Sequence, residues 1–145
     1  MTQRRAHTMW TGTLQEGAGH VTLASSGAGA YDVTFPRRTA EDAEGVTSPE
    51  ELLAAAHSAC YAMQLSALIA RAGGTPESLD VDAAVTLRPD PAGGFRITTV
   101  DLVVRASVSG LDEAAFVEVA EAAKQQCPVS KALTGVDVTL DAALR

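Results

Sequence analysis

The chain has 145 residues, 46% of them hydrophobic, and a formal net charge of −7 at pH 7. This length and composition suit a single domain, residues 1–145, with a substantial apolar core. The acidic balance argues against a nucleic-acid partner and an anionic membrane surface, because both select basic proteins. The basic N-terminus has no apolar run behind it, so we expect a cytoplasmic protein without a signal peptide.

The chain contains two cysteines, Cys60 and Cys127. This is too few for the disulfide framework of a small secreted protein. Its histidines are scattered, and neither a CxxC nor an HExxH motif occurs, so no metal site is predicted. Phosphate-binding glycine loops and the GxSxG motif are also missing, which disfavours nucleotide-binding proteins and serine hydrolases.

Three short strands are predicted near the N-terminus, at residues 8–15, 20–25 and 31–35, with glycine-rich turns between them. The polar stretch from Pro36 to Val46 follows and is predicted to be an exposed loop. Two arginines in this loop are either solvated surface charges or cations directed toward a site.

A long helix is predicted from Pro49 to Ala72, about 36 Å in length at about 1.5 Å per residue. Ser48 is its predicted N-cap, Glu51 completes a capping box, and Gly73-Gly74 ends the helix. No charged residue occurs from Leu52 to Ala70. We therefore expect the helix to be buried on all sides, while its scattered polar residues argue against a membrane span.

The second half of the chain alternates between strands and a helix. A half-buried strand is predicted at Val81–Leu87, a return strand at Phe95–Val108, a helix at Glu113–Gln126 and a final strand near residues 136–140. Asp112 is the expected N-cap of that helix. This order predicts an α+β domain, with a mainly antiparallel sheet wrapped against the long buried helix.

The two thiols have different local surroundings. Cys127 precedes Pro128, a plausible first residue of a short helix, and the partial positive charge of a helix N-terminus favours a thiolate. Cys60 lies well inside its helix and would need a nearby cation. Local electrostatics therefore nominate Cys127 as the more acidic thiol, without deciding which sulfur attacks a substrate.

The stretch TSPEELLAAAHSACYAM, followed far downstream by AKQQCPVSKAL, resembles the OsmC/Ohr family of thiol-dependent peroxidases, in its OsmC (osmotically inducible protein C-like) branch. The resemblance includes LDVDAAVTL and VDVTLDAAL and extends over nearly the whole chain. It implies an OsmC-like fold, an intertwined homodimer and a role in oxidative-stress defence. It also implies reduction of organic and, in some members, inorganic hydroperoxides.

The resemblance assigns roles to four residues. Cys60 corresponds to the peroxidatic cysteine, and Cys127 to the resolving cysteine that condenses with it to a disulfide. Glu50 corresponds to the carboxylate that holds the catalytic arginine, for which the candidates are Arg38, which we favour, and Arg37. The resemblance further implies an external dithiol reductant, in particular a lipoyl group on a partner protein, and no metal or organic cofactor.

Helix geometry supports a dimer independently of the resemblance. Glu50 and Cys60 are separated by about 15 Å along a straight helix and point in directions about 80° apart. Two such helices packed antiparallel across a twofold axis would bring Glu50 of one chain toward Cys60 of the other. Small side chains at positions 54, 55, 56 and 59, all alanine, would permit that approach.

Several residues keep an ordinary structural interpretation beside the functional one. His57, on the helical face of Cys60, is a possible base but fits better as an interior histidine whose polar atoms are satisfied. Tyr61 and Met63 would line an apolar channel or simply pack in the core. Two other functions remain open on the same pattern: a non-enzymatic redox sensor that uses the two thiols, and a carrier of an apolar ligand.

Overall fold

The computed structural model describes residues 1–145 and has two compact units, Met1–Leu52 and Leu53–Arg145. In the first unit, β1 (His7–Thr11), β2 (Ala18–Thr22) and β3 (Ala30–Val33) form an antiparallel sheet in the order β1-β2-β3. All three strands are therefore present where the sequence predicts them, although each is shorter than expected.

The segment predicted to be an exposed loop after β3 instead begins with a short helix, α1 (Phe35–Arg38). Thr34 caps this helix by accepting a hydrogen bond from the Arg37 amide at 3.3 Å. Pro36 lies in its first turn, where a missing N–H costs no helical hydrogen bond. The prediction of a loop is therefore wrong for Phe35–Arg38. The segment has no apolar periodicity that would indicate a helix, and its single turn is stabilised by the Thr34 cap and by Pro36 instead.

The long helix, α2, extends from Pro49 to Arg71. Ser48 caps it by accepting a hydrogen bond from the Glu51 amide at 3.1 Å. The Glu51 carboxylate accepts a hydrogen bond from the Thr47 hydroxyl. Only half of the predicted capping box therefore forms, because the Glu51 side chain bonds to Thr47 and not to the Ser48 amide. At the other end Gly73 has a φ of +87°, and the Gly74 amide donates to Ile69 O at 3.0 Å, which closes a Schellman motif.

Burial of α2 is confined to one face in the single chain. Tyr61, Leu65 and Ile69, spaced four apart, are completely buried, whereas Met63 is 72% exposed. Small or apolar residues share the exposed face: Ala55, Ala56, Ala59, Met63 and Ala67. The expectation of burial on all sides is therefore not met by the single chain. By length and hydropathy alone α2 is apolar enough to cross a bilayer, but its buried face packs in a core as in a globular protein.

The second sheet contains β4 (Thr75–Pro89), β5 (Phe95–Ser109) and β6 (Asp137–Leu144) in the order β4-β5-β6. β5 is antiparallel to β4 and parallel to β6. A parallel pair needs a crossover connection, and here α3 (Glu113–Gln126) and α4 (Pro128–Ala132) supply it. The bounds of α3 and its capping by Asp112, which accepts from the Ala115 amide at 2.9 Å, agree with the sequence prediction.

The core lies between α2, α3 and the central strand β5. Alternate residues of β5 are buried, as expected for a strand with one covered face. They pack with residues of both helices in one cluster: Tyr61, Leu65, Ile69, Val100, Leu102, Val104, Ala106, Phe116, Ala120, Ala123 and Cys127. The α+β class, the mainly antiparallel pairing and the packing of the long helix are confirmed, and the core includes one of the two cysteines.

Candidate active site

An arginine and a glutamate form a close ion pair in the first unit. Arg38, the last residue of α1, donates from Nη2 to Glu50 Oε1 at 2.6 Å, and its Nε lies 3.2 and 3.1 Å from the two carboxylate oxygens. Glu50 stands in the first turn of α2, where an acidic side chain also interacts favourably with the helix dipole. This two-pronged contact fixes the plane of the guanidinium.

The structure distinguishes the two candidate arginines. The Arg37 side chain forms an ion pair with Glu44 in the exposed connection to α2. Arg38 alone meets Glu50, and this hydrogen bonding raises the pKa of the Arg38 guanidinium. Glu50 is only 8% exposed, so its charge depends on Arg38 for compensation.

An apolar cavity adjoins the Arg38 side chain within the first unit. Its volume is about 180 Å³. Most of its lining is aromatic or aliphatic, and Arg38 supplies the charge: Trp10, Leu14, Val33, Thr34, Phe35, Arg38 and Pro49. Such a cavity suits a ligand with an apolar body and one polar group near a cation.

The two cysteines meet in the second unit. Cys60 lies on α2 and is half-buried, Cys127 lies between α3 and α4 and is completely buried, and both are free thiols. Cys60 packs against the core cluster that contains Cys127, and the two side chains interact. The fold therefore brings together two cysteines that are distant in sequence, both as free thiols.

The start of α4 lies beside both cysteines. Cys127 is its N-cap residue but makes no side-chain cap hydrogen bond, and the Val129 backbone interacts with the Cys60 sulfur. Burial raises the pKa of the Cys60 thiol, the Val129 amide opposes this shift, and the neighbouring Cys127 adds to it. The Cys-Pro pair predicted this helix start, and Cys127 is its N-cap residue as expected, with Pro128 in the first turn.

His57 is completely buried one turn before Cys60. Its Nε2 lies 2.8 Å from Ser130 Oγ on α4, and its Nδ1 has no hydrogen-bond partner. The expectation of an interior histidine with satisfied polar atoms therefore holds for one ring nitrogen and fails for the other. Burial lowers the pKa of His57, which keeps the imidazole neutral. Ser130 was not singled out from the sequence, because nothing local connects it to α2.

The arrangement offers paired thiols and a held guanidinium. No group of three or more His, Cys, Asp or Glu side chains is placed to hold a metal ion. Tyr61, weighed as a channel residue, is instead a core residue whose hydroxyl donates to Ala120 O at 2.9 Å. Met63 belongs to the exposed face of α2.

Comparisons with known proteins identify the family of the chain. The family model for OsmC-like protein matches residues 41–141. Peroxiredoxin OsmC of Escherichia coli K12 is 37% identical over 142 residues, covering 98% of this chain and 96% of that protein. Organic hydroperoxide resistance protein OhrB of Bacillus subtilis 168 is 36% identical over 126 residues, covering 86% and 88%.

Solved structures show the same fold. The crystal structure of OhrB from Bacillus subtilis matches with a TM-score of 0.73 and 32% identity, covering 95% of this chain and 97% of that one. An organic hydroperoxide resistance protein from Elizabethkingia anophelis matches with a TM-score of 0.78 and 27% identity, covering 99% of both. The chain belongs to the OsmC-like protein family.

Proposed function

We propose that the protein is a thiol-dependent peroxidase that reduces organic hydroperoxides, with Cys60 as the attacking and Cys127 as the resolving thiol. The observation that carries this proposal is that the half-buried Cys60 packs against the cluster containing the buried Cys127, both as free thiols. The names of its relatives, a peroxiredoxin and organic hydroperoxide resistance proteins, point to the same chemistry.

The reaction balances in three steps. The Cys60 sulfur attacks a peroxide oxygen, the O–O bond breaks, and an alcohol leaves while Cys60 becomes a sulfenic acid. Cys127 then attacks the Cys60 sulfur, which forms the disulfide and releases water. An external dithiol, a lipoyl group in our proposal, finally reduces the disulfide and becomes a cyclic disulfide itself. No resident cofactor takes part.

Arg38, held by Glu50, is proposed to act on the peroxide during cleavage of the O–O bond. Burial raises the pKa of the Cys60 thiol in the single chain. Even if a cation lowered a thiol pKa from about 8.5 to about 5.5, the thiolate fraction at pH 7 would rise only about 30-fold. A thiolate of lower pKa is also a weaker nucleophile. If the Brønsted slope for thiol–disulfide exchange applies to peroxides, this lowers the rate constant of attack about 20-fold. The main contribution of the guanidinium is therefore to orient the peroxide and stabilise the departing alkoxide, an effect of about 10² to 10³ in rate.

The active form is proposed to be a homodimer. The exposed face of α2 carries alanines and Met63, the last 72% exposed, and apolar surface of this kind favours an interface. Glu50 and Cys60 are also separated by about 15 Å along one helix. A site built from the Arg38–Glu50 pair of one chain and the thiols of its partner satisfies both observations.

The cavity beside Arg38 supports an organic substrate. Its aliphatic and aromatic lining gains from contact with an alkyl or acyl chain, and hydrogen peroxide has no such group to bury. The same cavity is the observation that favours the second candidate, a carrier of an apolar ligand. A carrier, however, needs neither of the thiols.

A panel of alkyl, aryl and fatty-acid hydroperoxides, with hydrogen peroxide and with dihydrolipoamide as reductant, tests the function. Turnover of organic hydroperoxides by the native protein, abolished in Cys60→Ser, is the expected result. Native protein that binds apolar ligands and consumes no hydroperoxide would favour the carrier. Formation of the disulfide without turnover would instead indicate a redox sensor.

A further inference from the structure

His57 connects the helix that carries Cys60 to the short helix that follows Cys127. Its Nε2 lies 2.8 Å from Ser130 Oγ. In sequence, His57 stands one helical turn before Cys60, and Ser130 stands shortly after Cys127. The hydrogen bond therefore connects the two segments that carry the cysteines.

Packing alone does not account for this histidine. His57 is completely buried, and its Nδ1 has no partner. An unpaired buried polar atom is unfavourable, and an apolar side chain of similar volume would avoid that penalty. The contact with Ser130 is the one hydrogen bond that the imidazole makes, so it is the feature that an apolar replacement would lose.

A role as a base at Cys60 does not fit the contacts either. The Cys60 sulfur interacts with the Val129 amide and with Cys127, and not with the imidazole. Because Nδ1 is buried without an acceptor, the favoured tautomer carries its proton on Nε2 and donates it to Ser130 Oγ. Since the Cys60 sulfur does not interact with the imidazole, His57 is not placed to take the proton of that thiol.

We propose that His57 is a positioning residue that, through Ser130, holds the start of α4 so that Cys127 stays within reach of the oxidised Cys60. This inference rests on the proposed peroxidase function and concerns its second step alone. In that step the Cys127 sulfur attacks the Cys60 sulfenic acid, the S–O bond breaks as the S–S bond forms, and the Cys127 proton leaves with the hydroxyl as water. The imidazole exchanges no proton.

Two variants remove the hydrogen bond from opposite sides, His57→Leu and Ser130→Ala. After a single hydroperoxide addition in stopped flow, sulfenic acid formation should proceed at the native rate. Disulfide closure should slow about fivefold to tenfold, which corresponds to about 1 to 1.4 kcal/mol, the strength of an ordinary hydrogen bond. Trapping with dimedone, followed by mass spectrometry, should show a longer-lived sulfenic acid. His57→Gln, whose amide can still donate to Ser130, should restore closure.

Tyr61→Phe is the matched control, because it deletes another buried hydrogen bond of α2, the one to Ala120 O at 2.9 Å, without touching α4. Tyr61→Phe should leave the rate of disulfide closure unchanged, although it should lower the free energy of unfolding about as much as Ser130→Ala does. Native closure rates in Ser130→Ala, or equal slowing in Tyr61→Phe, would overturn the inference and leave the peroxidase standing. Ser130→Ala decides the matter alone if His57→Leu does not fold. A native protein that forms no sulfenic acid would overturn both.

Discussion

Cys60 packs against the core cluster that contains Cys127, and the two side chains interact, although the residues belong to different segments of the second unit. α2 carries one sulfur, and the junction of α3 and α4 carries the other. Cys127 is completely buried and Cys60 is half-buried. Under the proposed mechanism, Cys60 is therefore the sulfur that external reactants reach, and Cys127 is withheld from them.

Replacing Cys127 should separate the two halves of the cycle. Cys127→Ser retains the volume of the side chain and is expected to reduce a single equivalent of hydroperoxide before the sulfenic acid of Cys60 accumulates. Cys60→Ser should reduce none. Product alcohol per chain and dimedone labelling measure both. Sustained turnover by Cys127→Ser with dihydrolipoamide, at the native rate, would show that the resolving role is wrong.

Arg38→Ala should lose hydroperoxide turnover by about 10² to 10³, because the departing alkoxide loses its preorganised donor. Alkylation of Cys60 by iodoacetamide should change far less, since no alkoxide forms in that reaction. Arg37→Ala is the matched control and should remain near native activity, because Arg37 pairs with Glu44 on the exposed connection.

Losses of equal size in the two assays would contradict the assignment of Arg38 to the peroxide. The variant also leaves Glu50, 8% exposed, without its cation. Its free energy of unfolding should therefore be measured beside that of Arg38→Ala/Glu50→Gln, which removes the uncompensated charge.

Leu14→Ser should change substrate preference. Leu14 lines the apolar cavity beside Arg38, and loss of an apolar contact is expected to lower kcat/KM for cumene hydroperoxide about tenfold. The kcat/KM for hydrogen peroxide should stay at its native value, since that substrate has no apolar group to contact Leu14. Met9→Ser, at a residue that is 65% exposed and outside the cavity lining, is the control. A parallel loss with both peroxides would argue against a binding role for the cavity.

Met63→Glu should dissociate the proposed homodimer, because it places a charge on the exposed apolar face of α2. Light scattering after size exclusion should report a monomer, and turnover should fall with it if the site is shared between subunits. Val117→Glu alters another exposed apolar residue, 39% accessible and on α3, and should leave the mass unchanged. A fully active monomer would exclude a shared site.

Stability should fall on acidification through the titration of His57. Burial lowers its pKa from the ordinary value of 6.5, so below about pH 6.5 the unfolded chain binds a proton that the folded chain does not. The free energy of unfolding then decreases as pH falls, with a limiting slope of about 1.4 kcal/mol per pH unit for one proton. Urea unfolding of native protein and His57→Gln should differ in this slope, and identical slopes would contradict a buried neutral imidazole.

Much of the fold follows from local sequence. The caps at Ser48 and Asp112 and the stop at Gly73-Gly74 mark α2 and α3 almost to the residue, because helix ends are decided by side chains and backbone groups a few positions apart. The order of the predicted elements gave the α+β class. The pairing of the two cysteines, in contrast, was an expectation from the family resemblance of their motifs and not from local signals.

Only the tertiary structure decided which groups meet. It paired Glu50 with Arg38 and sent Arg37 to Glu44, gave the Val129 amide to Cys60, and placed Ser130 against His57. It also left one face of α2 uncovered in the single chain. Such contacts depend on how whole helices and strands pack against one another. The periodicity of a segment indicates which of its faces is apolar, but it does not indicate which other element will cover that face.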